Sequence, residues 1–205
     1  MFSTKALIYV PGNSASAWYK SSDCLWSAAT HISGRVALSN DYPDLRDFFV
    51  TMLGVPNLTL QMVFDEIKNM DAQKVSVDEI KDKLLVLNSL LKSETSHPDF
   101  GEISKREIFP VRKGFQTPQL VSVATDFALI DRQPLYESFA AKDALFLHFD
   151  LDDIRHLEPL INWAGLQERY LSISVRENSS IEGSNVTPLS KRSREISTKA
   201  HGLLR

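Results

Sequence analysis

A chain of 205 residues, 43% hydrophobic and 24% charged, has the composition of a soluble globular protein with a sizeable core, arranged as one large domain or two small ones. The net charge of -3 and pI near 6.0 argue against bulk electrostatic binding to nucleic acid or an anionic membrane, and no stretch is long and apolar enough to span a bilayer. A single cysteine, Cys24, excludes an internal disulfide and any multi-cysteine zinc site.

The N-terminal apolar run, Ala6 to Val10, is shorter than a secretory h-region. An intracellular, cytoplasmic location is therefore expected, and the N-x-S/T matches at Asn57, Asn178 and Asn185 carry no weight. Lys5 to Val10 reads as a short strand ended by the Pro11-Gly12 turn signal, and Asp23 to Trp26 as another extended piece.

Asp41 to Ile67 reads as a pair of helices. Pro43 suits a first helical turn, where its missing N–H has no partner anyway. Asp41, Asp44 and Asp47 put negative charge at the positive end of the helix dipole. Leu45, Phe48, Phe49, Met52 and Leu53 fall on one face at a period of about 3.6 residues, so Phe48 and Phe49 are expected in the core with Leu45 and Met52. Gly54 is placed to stop that helix. Thr59 is placed to cap the next, whose buried face is Leu60, Val63, Phe64 and Ile67.

Ser76 and Glu79 form a capping-box pattern that opens a third helix, with a seam of Val77, Ile80, Leu84, Leu87 and Leu91. Residues 93–101, SETSHPDFG, form a polar connector. The expected organisation is thus an N-terminal part over 1–92 with short strands and a three-helix unit, the connector, and a mixed part over 102–205 ending in a basic helix. In the latter, Glu107 to Val111, Gln119 to Ala124 and Ala144 to Phe149 read as strands. Asp150 or Asp152 is expected to cap a helix carrying Ile154, Leu157, Leu160 and Ile161. Pro159 should kink or split it, and Gly165 should end it. Glu177 to Pro188 has the composition of a mobile loop, and Ser190 to Arg205 reads as helical. The fold class is α+β, helix-rich, with short strands segregated from the helices.

Glycine placement speaks against several chemistries. The eight glycines are spread along the chain with no two within eleven residues. Dinucleotide loops, Walker A loops and the nucleophile elbow need glycines a few residues apart, so that backbone N–H groups can approach a phosphate or oxyanion. His148, Asp150, Asp152, Asp153 and His156 form the only dense group of metal-ligand types. A divalent-metal hydrolase would use them, but acidic residues at a helix start also serve as caps and dipole partners, which is the reading adopted. Cys24 with His31 has the types for a thiol nucleophile and base, yet a small buried hydrophobe is the plainer role. Glu158 and Asn162 match the Glu-x-x-x-Asn spacing of histidine-kinase-like ATPases, without the glycine-rich segments that should follow, and read as a solvated helix face. Lys191, Arg192, Arg194, Lys199 and Arg205 make the C-terminal helix basic and give the alternative function, contact with phosphate or nucleic acid. No aromatic residues interleave with those charges. No catalytic, cofactor-binding or metal-binding residue is assigned.

Several blocks together resemble the large fungal proteins of the sacsin-like and NO VEIN-like type. They are LIYVPG with Trp18, SDCLWS, DYPDLRDFFVTMLGV with its following helix, LHFDLDDIRHLEPLINWAGLQERYLSISVRE, and SREISTKAHGLLR. Those proteins carry a histidine-kinase-like ATPase domain followed by long regions of unassigned function. The resemblance implies a segment C-terminal to that domain, and none of the family's nucleotide-binding residues has a counterpart here. The expected function is a non-catalytic structural or protein-interaction module, without cofactor, whose partner is another protein or the remainder of a larger chain. With Leu203 and Leu204 in the last turn and no Gly or Pro stop after them, self-association is expected, or stabilisation when the chain is extended beyond Arg205.

Overall fold

The computed structural model describes residues 4–11, 17–71, 74–139 and 144–175. The chain divides into a compact unit, Met1–Val175, and a C-terminal segment, Arg176–Arg205. The expected loop at Glu177 to Pro188 and the basic helix from Ser190 lie outside the described residues.

Strands β1 (Ile8–Val10) and β2 (Ala17–Tyr19) pair antiparallel. Strands β3 (Cys24–Leu25) and β4 (Val36–Ala37) pair parallel. Side chains alternate across a strand, and β3 uses this to serve two cores. Cys24 faces a small cluster with Ile8, Val10, Trp26, Leu38, Phe49 and Val55, whereas Leu25 joins a large cluster that extends to Leu171.

The first expected helix departs from its pattern. Pro43–Leu45 is a tight 3-10 turn, and Phe48–Met52 a wide π turn in which the Leu53 N–H donates to the Phe48 carbonyl at 3.0 Å. A tight turn followed by a wide one breaks the 3.6-residue phase on which the predicted face depended. Phe49 is buried, but Leu45, Phe48 and Met52 are exposed, Met52 to 78%. The stop at Gly54 is as expected: its φ is +68°, and the Val55 N–H reaches back to the Phe49 carbonyl at 2.9 Å.

Helix α1 (Leu60–Asn69) is capped by Thr59, whose Oγ1 accepts from the Met62 N–H at 3.3 Å, and it buries the four predicted residues. Helix α2 (Val77–Ser93) starts at Ser76, whose Oγ accepts from the Glu79 N–H at 3.1 Å. It packs against α1, against the central strand of a three-stranded antiparallel sheet, and against a later helix, α5. That sheet has the order β6–β5–β7, with β5 at Phe109–Lys113, β6 at Gln119–Val121 and β7 at Leu145–Leu147. Pro110 accepts from the His148 N–H at 2.7 Å but has no N–H to return. The β5–β7 ladder stops there and the chain turns into helix.

Helix α3 (Gln133–Phe139), between β6 and β7, was not foreseen. Pro159 splits the next helical stretch as expected, into α4 (Leu151–His156) and α5 (Glu158–Trp163), and Gly165 ends it at φ +68°. A short α6 (Leu171–Ser174) follows. The class is α+β.

The polar connector is a link within one packed body. Its Pro98 carbonyl accepts from the Trp163 indole at 2.8 Å, and Phe100 meets the Trp163 ring at 5.1 Å. Residues from both sides of 93–101, such as Leu87 and Phe109, share the large core. Burial of a Phe or Leu side chain contributes about 1.5–3 kcal/mol, so the two sides stabilise each other through every such contact. Among the described residues, no helix is long and apolar enough to cross a membrane.

Candidate functional site

Among the described residues, the large exposed hydrophobic side chains are concentrated in the N-terminal lobe, the part built around the small core: Tyr9, Trp18, Leu45, Phe48 and Met52. Elsewhere they are single, Phe115 at the tip of the β5–β6 turn and Ile173 on α6. In β1, Ile8 and Val10 point into the small core and Tyr9 points out. Trp18 is the cross-strand partner of Tyr9, and their rings lie 5.3 Å apart. Trp18 remains 61% exposed.

Opposite this pair stands the π turn. Phe49 anchors it by packing on Trp26 at 6.2 Å and Tyr42 at 5.3 Å, and Phe48 meets the edge of Phe49 at 5.2 Å. The Tyr42 hydroxyl donates to the Tyr9 carbonyl and ties turn to hairpin. Between them lies an open groove of about 280 Å³ lined by Leu7, Tyr9, Trp18, Tyr42, Phe48 and Leu53, among others. Asp41, Asp44 and Asp47 are exposed along the segment that forms one wall, with a single guanidinium, Arg46, 3.8 Å from Asp47.

The residues singled out from sequence are placed as follows. Cys24 is fully buried, its thiol donates to the Lys20 carbonyl at 3.3 Å, and burial, with Asp23 beside it, pushes it up to about 11. A thiol so held is a poor nucleophile at neutral pH. The carbonyl of His31 accepts from Lys83. Asp150 occupies the N-cap position of α4 and its carbonyl accepts from the Ile154 N–H at 3.0 Å, but its carboxylate makes no cap hydrogen bond. The expected side-chain cap is therefore absent, and Asp150 acts on the helix through its charge alone. Asp152 pairs with Arg155 at 3.4 Å, and its carbonyl contacts His156 Nδ1 at 2.7 Å. His148 is half-buried on the sheet side. Burial, with Lys81 and Arg112 alongside, holds its imidazole below the ordinary value. Among the described residues, no three His, Cys, Asp or Glu side chains converge as metal ligands. Glu158 and Asn162 are exposed on α5. Lys191 to Arg205 lie outside the described residues.

Two buried polar groups on α2 were missed. Lys83 is fully buried and donates to the His31 carbonyl at 2.7 Å, with Glu66 at 3.5 Å and Glu79 at 3.4 Å. Burial raises the Glu66 carboxyl, but donation from the Ser33 N–H and hydroxyl and the nearby Lys83 outweigh it, leaving the group below its ordinary value. Ser33, Glu66 and Glu79 are among the residues that line a groove of about 430 Å³.

Asn88 performs a second internal task. Its Nδ2 donates to the His156 carbonyl at 2.9 Å, and its Oδ1 accepts from the Leu160 N–H at 3.0 Å. Those two backbone groups would bond to each other in an unbroken helix, so the amide stands in for the bond lost at the Pro159 break. The signal for both residues was in the sequence: Lys83 and Asn88 sit three or four residues from Ile80, Leu84, Leu87 and Leu91, on the face that must be buried.

Comparison with known proteins places the chain in a family. It belongs to the family described as Domain of unknown function (DUF8348), whose profile matches residues 61–175. No curated protein and no solved structure matches the chain significantly. The matched range takes in α1 to α6 and the three-stranded sheet, and the aromatic groove is formed by residues before it.

Proposed function

We propose that this family member is a non-catalytic protein-interaction module that makes contact through the aromatic groove of its N-terminal lobe. The observation that carries the proposal is the exposure of Tyr9, Trp18 and Phe48 around one groove. The adjoining core, by contrast, buries nearly all its large apolar side chains. Contiguous apolar surface of this kind marks sites of association, and Tyr, Trp, Phe and Met are the residue types enriched in them. The resemblance to sacsin-like and NO VEIN-like proteins supplies the setting, a cytoplasmic segment of a larger protein outside its ATPase domain. The occupant is then a neighbouring part of that protein or a separate one.

A photo-crosslinking residue placed at Trp18 or Phe48 in cells tests this. The expected result is one recurrent protein captured at both positions and not from the exposed control position Glu158. Equal labelling at all three positions overturns the proposal. The same reading expects no catalysis. Calorimetry with MgATP should give no saturable heat, and binding in the micromolar range would replace this function with a nucleotide-dependent one.

A further inference from the structure

We infer that the groove is an aromatic cage for a quaternary ammonium group, the side chain of a trimethylated lysine on the protein partner, an inference that rests on the groove being an interaction surface. The lining residues themselves carry the choice. Tyr9 and Trp18 line it from the hairpin, Tyr42 and Phe48 from the turn, and the buried Phe49 also borders it. Among the described residues, no charged side chain lines the groove. Lys5 and Lys20 beside the hairpin, and Asp41, Asp44, Arg46 and Asp47 beside the turn, are exposed but are not lining residues. Recognition is therefore left to the rings. An aromatic face is the negative side of the ring quadrupole and attracts a cation, that of tryptophan most strongly.

Shape and chemistry narrow the cation. The rings of Tyr9 and Trp18 incline at 56°, those of Tyr42 and Phe49 at 47°, and those of Phe48 and Phe49 at 73°. A flat ligand stacks best on parallel rings, whereas inclined neighbours fit around a rounded group. At about 280 Å³, the groove falls just below the roughly 300–1,000 Å³ of drug-sized sites. That suits one headgroup, with its chain leaving by the open side. A primary ammonium is strongly hydrated and brings three donors that need acceptors. The Tyr9 carbonyl at the groove already accepts from the Tyr42 hydroxyl. Methylation removes those donors, keeps the charge and sets methyl groups against the ring faces. Choline and the phosphatidylcholine headgroup carry the same group, but a lysine side chain is the source that agrees with a protein-interaction module.

The test titrates the full chain with short glycine-flanked peptides that differ only in their central residue. One carries trimethyl-lysine, one lysine, and one the neutral isostere in which carbon replaces the quaternary nitrogen. The trimethyl-lysine peptide should bind about tenfold tighter than either of the others, shifting NMR signals of Tyr9, Trp18 and Phe48. Trp18→Ala, checked for an intact circular-dichroism spectrum, should weaken it by about the same factor, and Trp18→Phe, which keeps a weaker ring face, should fall between. If the neutral isostere binds equally well at the groove, the cation is overturned and the apolar interaction surface stands. Choline, or phosphatidylcholine vesicles, binding there more tightly than the peptide overturns the assignment to a lysine side chain. No groove shift with any of these probes overturns the cage, and capture by the cross-linkers at Trp18 and Phe48 then decides the interaction reading by itself.

Discussion

The two cores of this protein meet at β3 and are built to different standards. The large one, running from Leu25 to Leu171, closes its polar accounts as well as its apolar ones. Lys83 is neutralised by carboxylates and held by a carbonyl, and Asn88 bridges a broken helix. Two guanidinium N–H groups of Arg169 donate to the Val123 and Thr125 carbonyls at 2.6 and 2.7 Å. The small one buries Phe49 and Trp26 but leaves Trp18, Phe48 and Met52 outside. Among the described residues, no buried side-chain N or O atom lacks a hydrogen-bond partner, and most of the exposed large apolar side chains are on the lobe. A protein can carry such surface when the fold does not depend on it, and the lobe keeps its fold in the inner layer and its contacts in the outer one.

Substitutions can separate the two standards. The largest effect is expected at Lys83. Lys83→Ala leaves the Glu66 carboxylate and the His31 carbonyl without their buried partner, and breaking a buried pair this way costs about 3–5 kcal/mol. Lys83→Met, which keeps the volume, should not rescue it, since Glu66 still loses its cation; urea denaturation measures both. If Lys83→Ala costs no more than a surface change, the linkage of α2 to the 31–33 loop is not structural.

Adjacent phenylalanines sharpen the contrast inside the lobe. Phe49→Ala should cost about 3–5 kcal/mol as a buried aromatic. Phe48→Ala, which loses chiefly its edge contact with Phe49, should cost about 0.5–1 kcal/mol. Equal losses in melting midpoint would mean that the outer layer is part of the fold.

Asn88→Ala strands the His156 carbonyl and the Leu160 N–H. A loss of about 2–3 kcal/mol is expected, with faster hydrogen exchange at Leu160. Unchanged exchange there would remove Asn88 from its role at the helix break.

The smallest effect concerns pH. The His148 imidazole titrates below its ordinary value of 6.5 in the folded protein. As pH falls, the unfolded chain takes up the proton first, so stability declines as pH drops through about 6.5 toward the folded value and is insensitive to this group above it. His148→Gln should flatten that decline relative to the parent chain. Identical slopes in thermal melts between about pH 7.5 and 5.5 (one unit either side of the unfolded value) would show that His148 is as well solvated folded as unfolded.

Much of the larger core was legible beforehand. Thr59 and Ser76 cap where their side chains can reach an N–H three residues on, and the faces of α1 and α2 follow from a period that holds over their whole length. Pro159 and Gly165 act through backbone geometry alone, which any context must respect. Of the candidate site, the sequence carried the residues Trp18, Phe48 and Met52 but not their exposure. Phe48 and Phe49 are chemically identical neighbours, and which one turns inward depends on the 3-10 and π turns, where Phe49 packs on Tyr42 and on the more distant Trp26.

What the sequence determined by itself is therefore local: caps, stops, the helix faces of α1 and α2, the break at Pro159, and the lack of clustered glycines for a phosphate loop. Each rests on interactions spanning a few residues, where the chain itself fixes the geometry. Tertiary structure decided the rest. It brought Glu66 and His31 to Lys83 and placed Asn88 in the gap of a helix some seventy residues away in sequence. It also set a hairpin against a distorted turn to leave an apolar groove in the open. Those outcomes depend on which distant surfaces compete for burial, and a side chain can lose that competition without any change in its own sequence neighbourhood.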